Sequence, residues 1–457
     1  MSIILKNISI YNNSGSGANS ALKPLWDIIY PRKHESVIAL ISKRIFFSVY
    51  FFFALFQPPL LHIKTNIIML LFNIMIFCGL SVLTGGIKFS RKILGMILGF
   101  LPFVLYLVFM QAYHIMMGES DKMKYFILIK INLLMIIYFF VMVLALCRMI
   151  DFFHISFKEF MAYIFIAALM QFACVLAAFV VPSIKTLFVN MMIANSNDET
   201  IIRAIKKGAL YRCYGFAENL FDAFGYILSI LISIIMLEGI ERKKWVYTIS
   251  AVFMLFMPLI NARTGIILSL VGFAIVLVFY SSPKRLLKIL ILLPFLILFC
   301  KEVFSLLPAS TSKWILSGFE ETSSLLDSGQ TTGVYSEILG KDLVYPDNLL
   351  LGAGGSPELL AHYSGIDSGY IQCLWRYGII GTALLLGAYI NMFRMAFFAT
   401  KAKKYRCMII IILIIFVVYL FKLYSLTNYG SVFLIFGIPT FIIKQSINEK
   451  EGRNTFA

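Results

Sequence analysis

LFDAFGYILSILISIIMLEGIERKK, residues 220–244, carries the reading of the fold. Residues 220–240 form an apolar run of the length, about 20 residues, that crosses about 30 Å of hydrocarbon as a helix. The run stops at Glu-Arg-Lys-Lys. Backbone amides inside lipid have no water to bond, so such a run must be helical. A basic turn directly after it marks the cytoplasmic side of a membrane.

Outward from this stretch the same pattern recurs almost end to end. Apolar runs fall at residues 45–61, 66–84, 93–110, 125–147 and 160–181, then at 245–260, 264–280 and 286–300, and finally at 368–398, 407–423 and 429–443. With 220–240 they make about twelve candidate spans. The chain of 457 residues is 60% hydrophobic and only 14% charged, too few polar side chains to cover a water-soluble globule of this size. The expected fold is therefore an all-α polytopic integral membrane protein.

An N-terminus in the cytoplasm places the basic turns at 90–92, 241–244, 282–288 and 400–406 together on that side. By this assignment about 25 of the 40 Lys and Arg are cytoplasmic, and the excess accounts for the formal charge of +17. Topology explains the charge, so no nucleic acid is expected as a partner; that would need a basic patch on a soluble face. The chain divides into a cytoplasmic tail (1–44), nine spans (45–300) interrupted by an outer loop (182–219), a large outer loop (301–366), three spans (367–443) and a cytoplasmic tail (444–457). Residues 12–20, NNSGSGANS, are polar, and no cleaved signal peptide is read here. No solenoid period or similarity between halves is apparent.

Both outer loops exceed the usual length of connections. Their apolar residues, for instance Leu325, Leu326, Val334, Tyr335, Ile338 and Leu339, recur at helical spacing, so the loops are expected to fold at the membrane surface. The seven cysteines form no CxxC pair and no His/Asp/Cys ligand set is visible, so neither a metal nor another cofactor is expected. Cys213 and Cys373 are read as small apolar fillers rather than as a disulfide.

Four polar clusters sit at outer ends of spans, where ionisable groups tend to mark function. They are Arg212-Cys-Tyr-Gly-Phe-Ala-Glu218-Asn219 with Asp222; Asn261-Ala-Arg263-Thr-Gly265; the loop around Gln330 with Gly352, Gly354 and Gly355; and HYSGIDSGYIQCLWRYGIIG, residues 362–381. Each has a plain structural reading. Arg263 is as well placed to snorkel to lipid head groups as to bind a ligand. The glycines of LGAGGS turn the chain more readily than they cradle phosphate, since no P-loop lysine follows. Tyr370, Trp375 and Tyr377 fit an interfacial aromatic belt. His362 is a lone loop histidine. Arg376, about two turns inside its span, is expected to pair with an acid such as Asp367 or Asp222. Taken together, arginines with acids and aromatics on one leaflet suit an anionic lipid head group, because guanidinium forks bind phosphate bidentately and keep their proton.

RCYGFAEN with Phe224 and Gly225, then NARTGIILSLVG, SGQTTGVYSEILGKDLVYPDNLLLGAGG and DSGYIQCLWRYGIIG, resemble in order and spacing the motifs of the bacterial O-antigen polymerase and O-antigen ligase superfamily. The resemblance covers 212–381, and the first five spans match in hydropathy alone. Where the ligase branch carries His-Asn-Ser-Tyr-Leu, this chain has Asp367-Ser-Gly-Tyr370-Ile, which looks like the polymerase (Wzy-type) branch. Gln330 stands where many members carry the arginine of a Ser-Gly-Arg triplet.

The resemblance implies a metal-independent glycosyltransferase of the membrane-embedded C type that works at the periplasmic face of the bacterial inner membrane. Its substrates would be undecaprenyl-diphosphate-linked oligosaccharide repeat units, with a chain-length regulator protein as a further partner. On that basis Arg212 and Arg263 are the expected diphosphate ligands, Arg203 a weaker one, and Glu218, Gln330 and Tyr370 further substrate contacts. Asp367 is the expected base, His362 its reserve, and Arg376 the group that orients Asp367. The rival readings are O-antigen ligase, which differs in its acceptor, and from other classes a lipid-linked oligosaccharide flippase or transporter, or a receptor without chemistry.

Overall fold

The computed structural model describes residues 37–60, 64–84, 90–116, 122–196, 199–218, 221–280, 307–328, 344–354, 368–420 and 429–450. The expected span at 286–300, the basic turn at 282–288 and the site candidates Gln330, His362 and Asp367 lie outside the described residues. The chain forms two compact units, Met1–Tyr50 and Phe51–Ala457, and the account below concerns the second.

Regular structure among the described residues is helical. The helices are α1 (Val37–Phe56), α2 (Thr65–Leu83), α3 (Arg91–Leu98), α4 (Leu101–Met116), α5 (Lys122–Phe153), α6 (Phe157–Val180), α7 (Pro182–Ala194) and α8 (Glu199–Ala209). They continue as α9 (Phe221–Arg242), α10 (Trp245–Met254), α11 (Phe256–Asn261), α12 (Arg263–Tyr280), α13 (Ala309–Ser328), α14 (Gly369–Ala399), α15 (Lys403–Leu420) and α16 (Tyr429–Lys450). Local signals set several ends. Ser156 and Glu159 form a reciprocal capping box at the start of α6. Pro182 opens α7, where its missing N–H is no loss.

Among the described residues seven helical stretches are long and apolar enough to cross a membrane: Thr65–Leu83, Arg91–Tyr113, Asn132–Phe153, Phe157–Val180, Ala223–Arg242, Arg263–Tyr280 and Gly369–Ala399. The protein is thus helical and membrane-embedded. The expected spans at 45–61, 407–423 and 429–443 fall on α1, α15 and α16, which are not among those seven. The expected span at 245–260 is two short helices, α10 and α11. Pro258 cannot donate to Met254, so the backbone bond that would fuse them is missing.

Two opposite ends of the bundle can be told apart by their side chains. At one end Glu238 near the end of α9 pairs with Arg242 at 2.6 Å and with Lys404 of α15 at 2.6 Å, and Lys404 also reaches Glu241 at 3.4 Å. Lys444 of α16 meets Asp151 of α5 at 2.8 Å, and Ser446 donates to the Ala399 carbonyl that ends α14. The basic turns at 241–244 and 400–406 therefore share this end. The polar clusters around Arg212 and Arg263 precede α9 and open α12, at the other end.

α9 is the central element: 89% of its membrane-length window is buried, against 17% for α2. It packs most closely against α12, along small residues. A Cβ on Gly225 would stand 2.6 Å from Ala262 Cβ, and one on Gly265 would stand 2.8 Å from Gly225 Cα. A Cβ on Gly272 would run into the Ser233 hydroxyl. Backbones that approach this closely gain dispersion contacts that larger side chains would prevent, the usual basis of helix association in lipid.

α14 is broken at Gly378, whose φ of 62° and ψ of −172° interrupt the helix. The segment 348–354 docks into the gap. Ala353 N and Gly354 N donate to Trp375 O at 2.7 and 3.1 Å, while Ile379 N and Ile380 N donate to Leu349 O and Leu350 O. The break thus leaves few backbone groups unmet, as a membrane helix requires. Gly352 and Gly354 turn the chain here with positive φ, and Gly352 lies against the Gly378 backbone where no side chain fits.

Gly272→Leu is expected to lower the stability of the detergent-solubilised protein by about 1–3 kcal/mol or more, from overpacking against Ser233. Gly387→Ala, which meets nothing within 4 Å, serves as the control and is expected to leave the thermal transition in place.

Candidate functional site

Residues 210–215 link α8 to the segment before α9 and are held from four sides. Arg212 N donates to Gly208 O at 2.8 Å, closing the last turn of α8. Ser310 and Thr311, in the first turn of α13, donate their hydroxyls to Leu210 O and Tyr211 O at 3.2 and 2.9 Å. Cys213 N donates to Asn261 Oδ1 at 3.0 Å, and the fully buried Asn261 turns its Nδ2 to Met257 O. Gln171 of α6 donates to Tyr214 O at 3.0 Å. Gly215 follows with φ of 65°, and a Cβ there would stand 2.6 Å from Val175 Cγ2. The two motifs RCYGFAEN and NARTG, 48 residues apart, therefore meet through one buried asparagine. Removing an acceptor of that kind leaves a buried N–H unmet, which costs about 1–3 kcal/mol.

The same clasp brings two arginines to one aromatic ring. Arg212 and Arg263 each place the guanidinium carbon 5.0 Å from the centroid of the Trp314 ring on α13. Tyr211 stacks at a tilt on Trp314, with centroids 5.4 Å apart, and Arg212 lies 5.4 Å from the Tyr211 ring as well. The two cations are accordingly no more than 10 Å apart.

Arg263, the first residue of α12, reaches across α13. Its Nη1 donates to Trp314 O at 3.2 Å and to Ser317 Oγ at 3.1 Å, and lies 3.7 Å from Glu321 Oε1. Gly318 makes room for it, since a Cβ there would stand 2.6 Å from Arg263 Cδ. Arg263 is anchored by one nitrogen, and its Nε and Nη2 donors have no hydrogen-bond partner among the described residues. It is tied to α13.

A small recess adjoins Arg212, lined also by Lys185, Phe188, Val189, Met192 and Tyr214. Burial holds the Lys185 ammonium below its ordinary range, and the same desolvation raises the neighbouring Cys213 thiol to about 11, with Lys185 pulling the other way. Cys213 is an unoxidised, buried filler that donates to Val175 O, and Cys373 is likewise free.

The other candidates are placed differently. Arg203 lies on an exposed face of α8 in an i,i+4 pair with Glu199 at 3.1 Å, both side chains about four-fifths exposed. Tyr370 packs beside Ile371 and Trp375 with Val344 and Ala353. Trp375 is buried, its indole N–H bound to Val344 O at 2.7 Å. Arg376 sits within α14, two residues before the break. Glu218 N donates to the Phe56 and Gln57 carbonyls, and burial raises its carboxyl above the ordinary range while Lys64 opposes that shift. Among the described residues no group of three His, Cys, Asp or Glu is placed to hold a metal ion.

Trp314 and Lys185 were not among the residues singled out from sequence. The signal for Trp314 was present: Trp314, Ser317, Gly318 and Glu321 stand at i, i+3, i+4 and i+7 of one helix face. Lys185 had no such signal, because its neighbour in the recess is 27 positions away. Comparison with models of protein families, with curated protein sequences and with solved structures gives no match.

Glu218 offers a pH test of the local environment. A carboxyl raised in the fold is forced to ionise at a disadvantage once the pH exceeds its folded value, so it destabilises in neutral and alkaline solution and not in acid. Glu218→Gln is therefore expected to raise the melting temperature at pH 8 and to leave it unchanged at pH 4. An equal effect at both pH values would show that ionisation of Glu218 is not what the fold opposes.

Proposed function

We propose that the protein is an O-antigen polymerase, a membrane glycosyltransferase that joins undecaprenyl-diphosphate-linked oligosaccharide repeat units at the periplasmic face of the inner membrane. The observation that carries this reading is the convergence of Arg212 and Arg263 on one side chain, the Trp314 ring. The ordered motifs from Arg212 to Gly381 supply the choice of reaction.

In the proposed reaction an acceptor sugar hydroxyl attacks the anomeric carbon of the growing glycan. The bond from that carbon to the diphosphate oxygen breaks, its electrons leave with the diphosphate, and the hydroxyl proton passes to a base. Negative charge therefore grows on the leaving group. Fixed guanidinium groups placed beforehand stabilise such charge without reorganising during the step. Arg212 and Arg263 are assigned this role; they are arginines, which stay charged and offer forked donors. Asp367 is assigned as the base, and Arg376, within α14, as its positioning partner. Tyr370 borders the acceptor side, Glu218 lies beyond Arg212, and Gln330 belongs to the large outer loop. The basic turns gathered at the opposite end of the bundle support a cytoplasmic placement of that end.

Arg212→Ala and Arg263→Ala are each expected to abolish long glycan chains in a strain lacking the native gene, with the variant protein still present in the membrane fraction. Loss of one oxyanion-stabilising donor typically reduces turnover about 10²–10³-fold. Chain-length ladders of wild-type appearance from both variants would overturn the assignment. A strain without the gene that carries single repeat units on its core polysaccharide, rather than none, distinguishes polymerase from ligase.

A further inference from the structure

We propose that Tyr106 of α4 is a positioning residue of the proposed reaction: its hydroxyl clamps the strap 348–354 to the outer half of α14, residues 369–377, and so fixes where Tyr370 and Arg376 stand. The inference rests on the functional reading above and deepens it.

The break at Gly378 divides α14 into a membrane span and a piece beyond it. Residues 379–399 are about 31 Å long at 1.5 Å per residue, enough by themselves to cross about 30 Å of hydrocarbon. They end at Ala399, whose carbonyl accepts from Ser446 at the end of the bundle with the basic turns. The half before the break is thus left at the opposite membrane surface, where a sugar in water can reach it. It carries Tyr370 and Arg376, and Asp367 stands two positions before it in the sequence.

The ordinary bonds across the break are exchanged for bonds to the strap. In an unbroken helix Ile379 N and Ile380 N would donate to residues 375 and 376. Here they donate to Leu349 O and Leu350 O, while Trp375 O accepts from Ala353 N and Gly354 N. The strap therefore acts as a splint, and the outer half is placed by whatever fixes the strap.

Tyr106 bonds both parts at once. It donates its hydroxyl to Tyr377 O, the last carbonyl before the break, at 2.8 Å, with Leu351 O of the strap at 3.1 Å on the same hydrogen. Its ring lies directly on the inner half, since a Cβ on Gly381 would stand 2.4 Å from Tyr106 Cε1, and it packs with Met110, Leu351 and Leu384. Tyr377 is held in turn: its hydroxyl donates to Asn132 of α5 at 2.9 Å, and its ring meets Phe103 of α4 edge to face with centroids 5.2 Å apart. The outer half of α14 thus takes its orientation from α4 and α5, through a hydroxyl that phenylalanine would lack. Tyr106 acts through Tyr370 and Arg376, and a misplacement of about 1 Å in such groups can slow a reaction about 10²-fold.

The test compares Tyr106→Phe with the wild type and with Gly387→Ala, which lies on the inner half and meets nothing within 4 Å. All are full-length proteins in nanodiscs, given lipid-linked repeat units extracted from a strain without the gene. Hydrogen–deuterium exchange is followed in the same samples. Tyr106→Phe keeps the ring and removes the hydroxyl. It is expected to lower kcat about 10–100-fold with KM within about twofold. Exchange of the Ala353, Gly354, Ile379 and Ile380 amides is expected to quicken about tenfold or more, with α9 and α12 unchanged. Gly387→Ala is expected to match the wild type in both measurements. Wild-type exchange at those four amides in Tyr106→Phe overturns the clamp. Faster exchange there with wild-type kcat overturns the positioning role and leaves the functional reading standing. A loss of kcat with faster exchange throughout the bundle also overturns it, because the hydroxyl would then support the fold at large. If the wild type forms no polymer from the repeat units, the functional reading falls and the inference falls with it.

Discussion

The close approach of α9 and α12 is the constraint on which the rest of the structure depends. Gly225 and Gly265 let the two backbones touch at the start of both helices, and Gly272 against Ser233 continues the contact. Because α12 begins at Arg263 and the stretch before α9 carries Arg212, this contact fixes where both cations emerge. Asn261 then ties the two lead-in segments together through Cys213 N. A side chain at any of these glycines would displace Arg212 and Arg263 relative to each other, although none of the glycines touches the ring between them.

Holding two guanidinium groups near one indole has an energetic consequence that magnitudes can resolve. At 10 Å, their greatest separation, like charges repel by about 1.7 kcal/mol at an effective dielectric of about 20. Each cation–π contact returns about 0.5–1 kcal/mol at an exposed position and about 2 when desolvated. Glu321, at 3.7 Å from Arg263 with both groups about a fifth to a quarter exposed, adds attraction. The contacts that hold the two guanidinium groups near one ring are thus of the same order as the repulsion between them at that separation. Charge fixed in place beforehand is the condition under which electrostatic stabilisation of an anion acts most strongly.

Much of the fold was legible because lipid imposes length and charge rules on the sequence itself. The apolar run ending at 241–244 reads directly as α9, and the turns at 241–244 and 400–406 do lie at one end. Pro258 carried the break between α10 and α11 openly, yet a run of apolar residues around it reads as one span. The break at Gly378 was not legible, because it is stabilised by backbone groups of 349–354, about 25 positions earlier, and no local pattern records that docking. For the site, Arg212 and Arg263 were legible as charged residues beside membrane spans. Their shared ring was not, since Trp314 lies 51 positions beyond Arg263 and in a segment that reads as a loop.

The two ends of the bundle use the same residue types in opposite ways, and this contrast gives the arginine pair its weight. At the end with the basic turns, Arg242, Lys404 and Lys444 each lie within 2.8 Å of a carboxylate. Those pairs tie α9 to α15 and α5 to α16, so the charges are satisfied by structure. At the other end Arg212 lies over aromatic rings, Arg263 has one longer carboxylate contact among the described residues, and Lys185 lines a small recess. If cations served only to mark the membrane boundary there, solvent or close acids would surround them as they do Arg203. Arg212 and Arg263 instead lie against one aromatic ring, and Arg263 is tied through Trp314 O and Ser317 to α13.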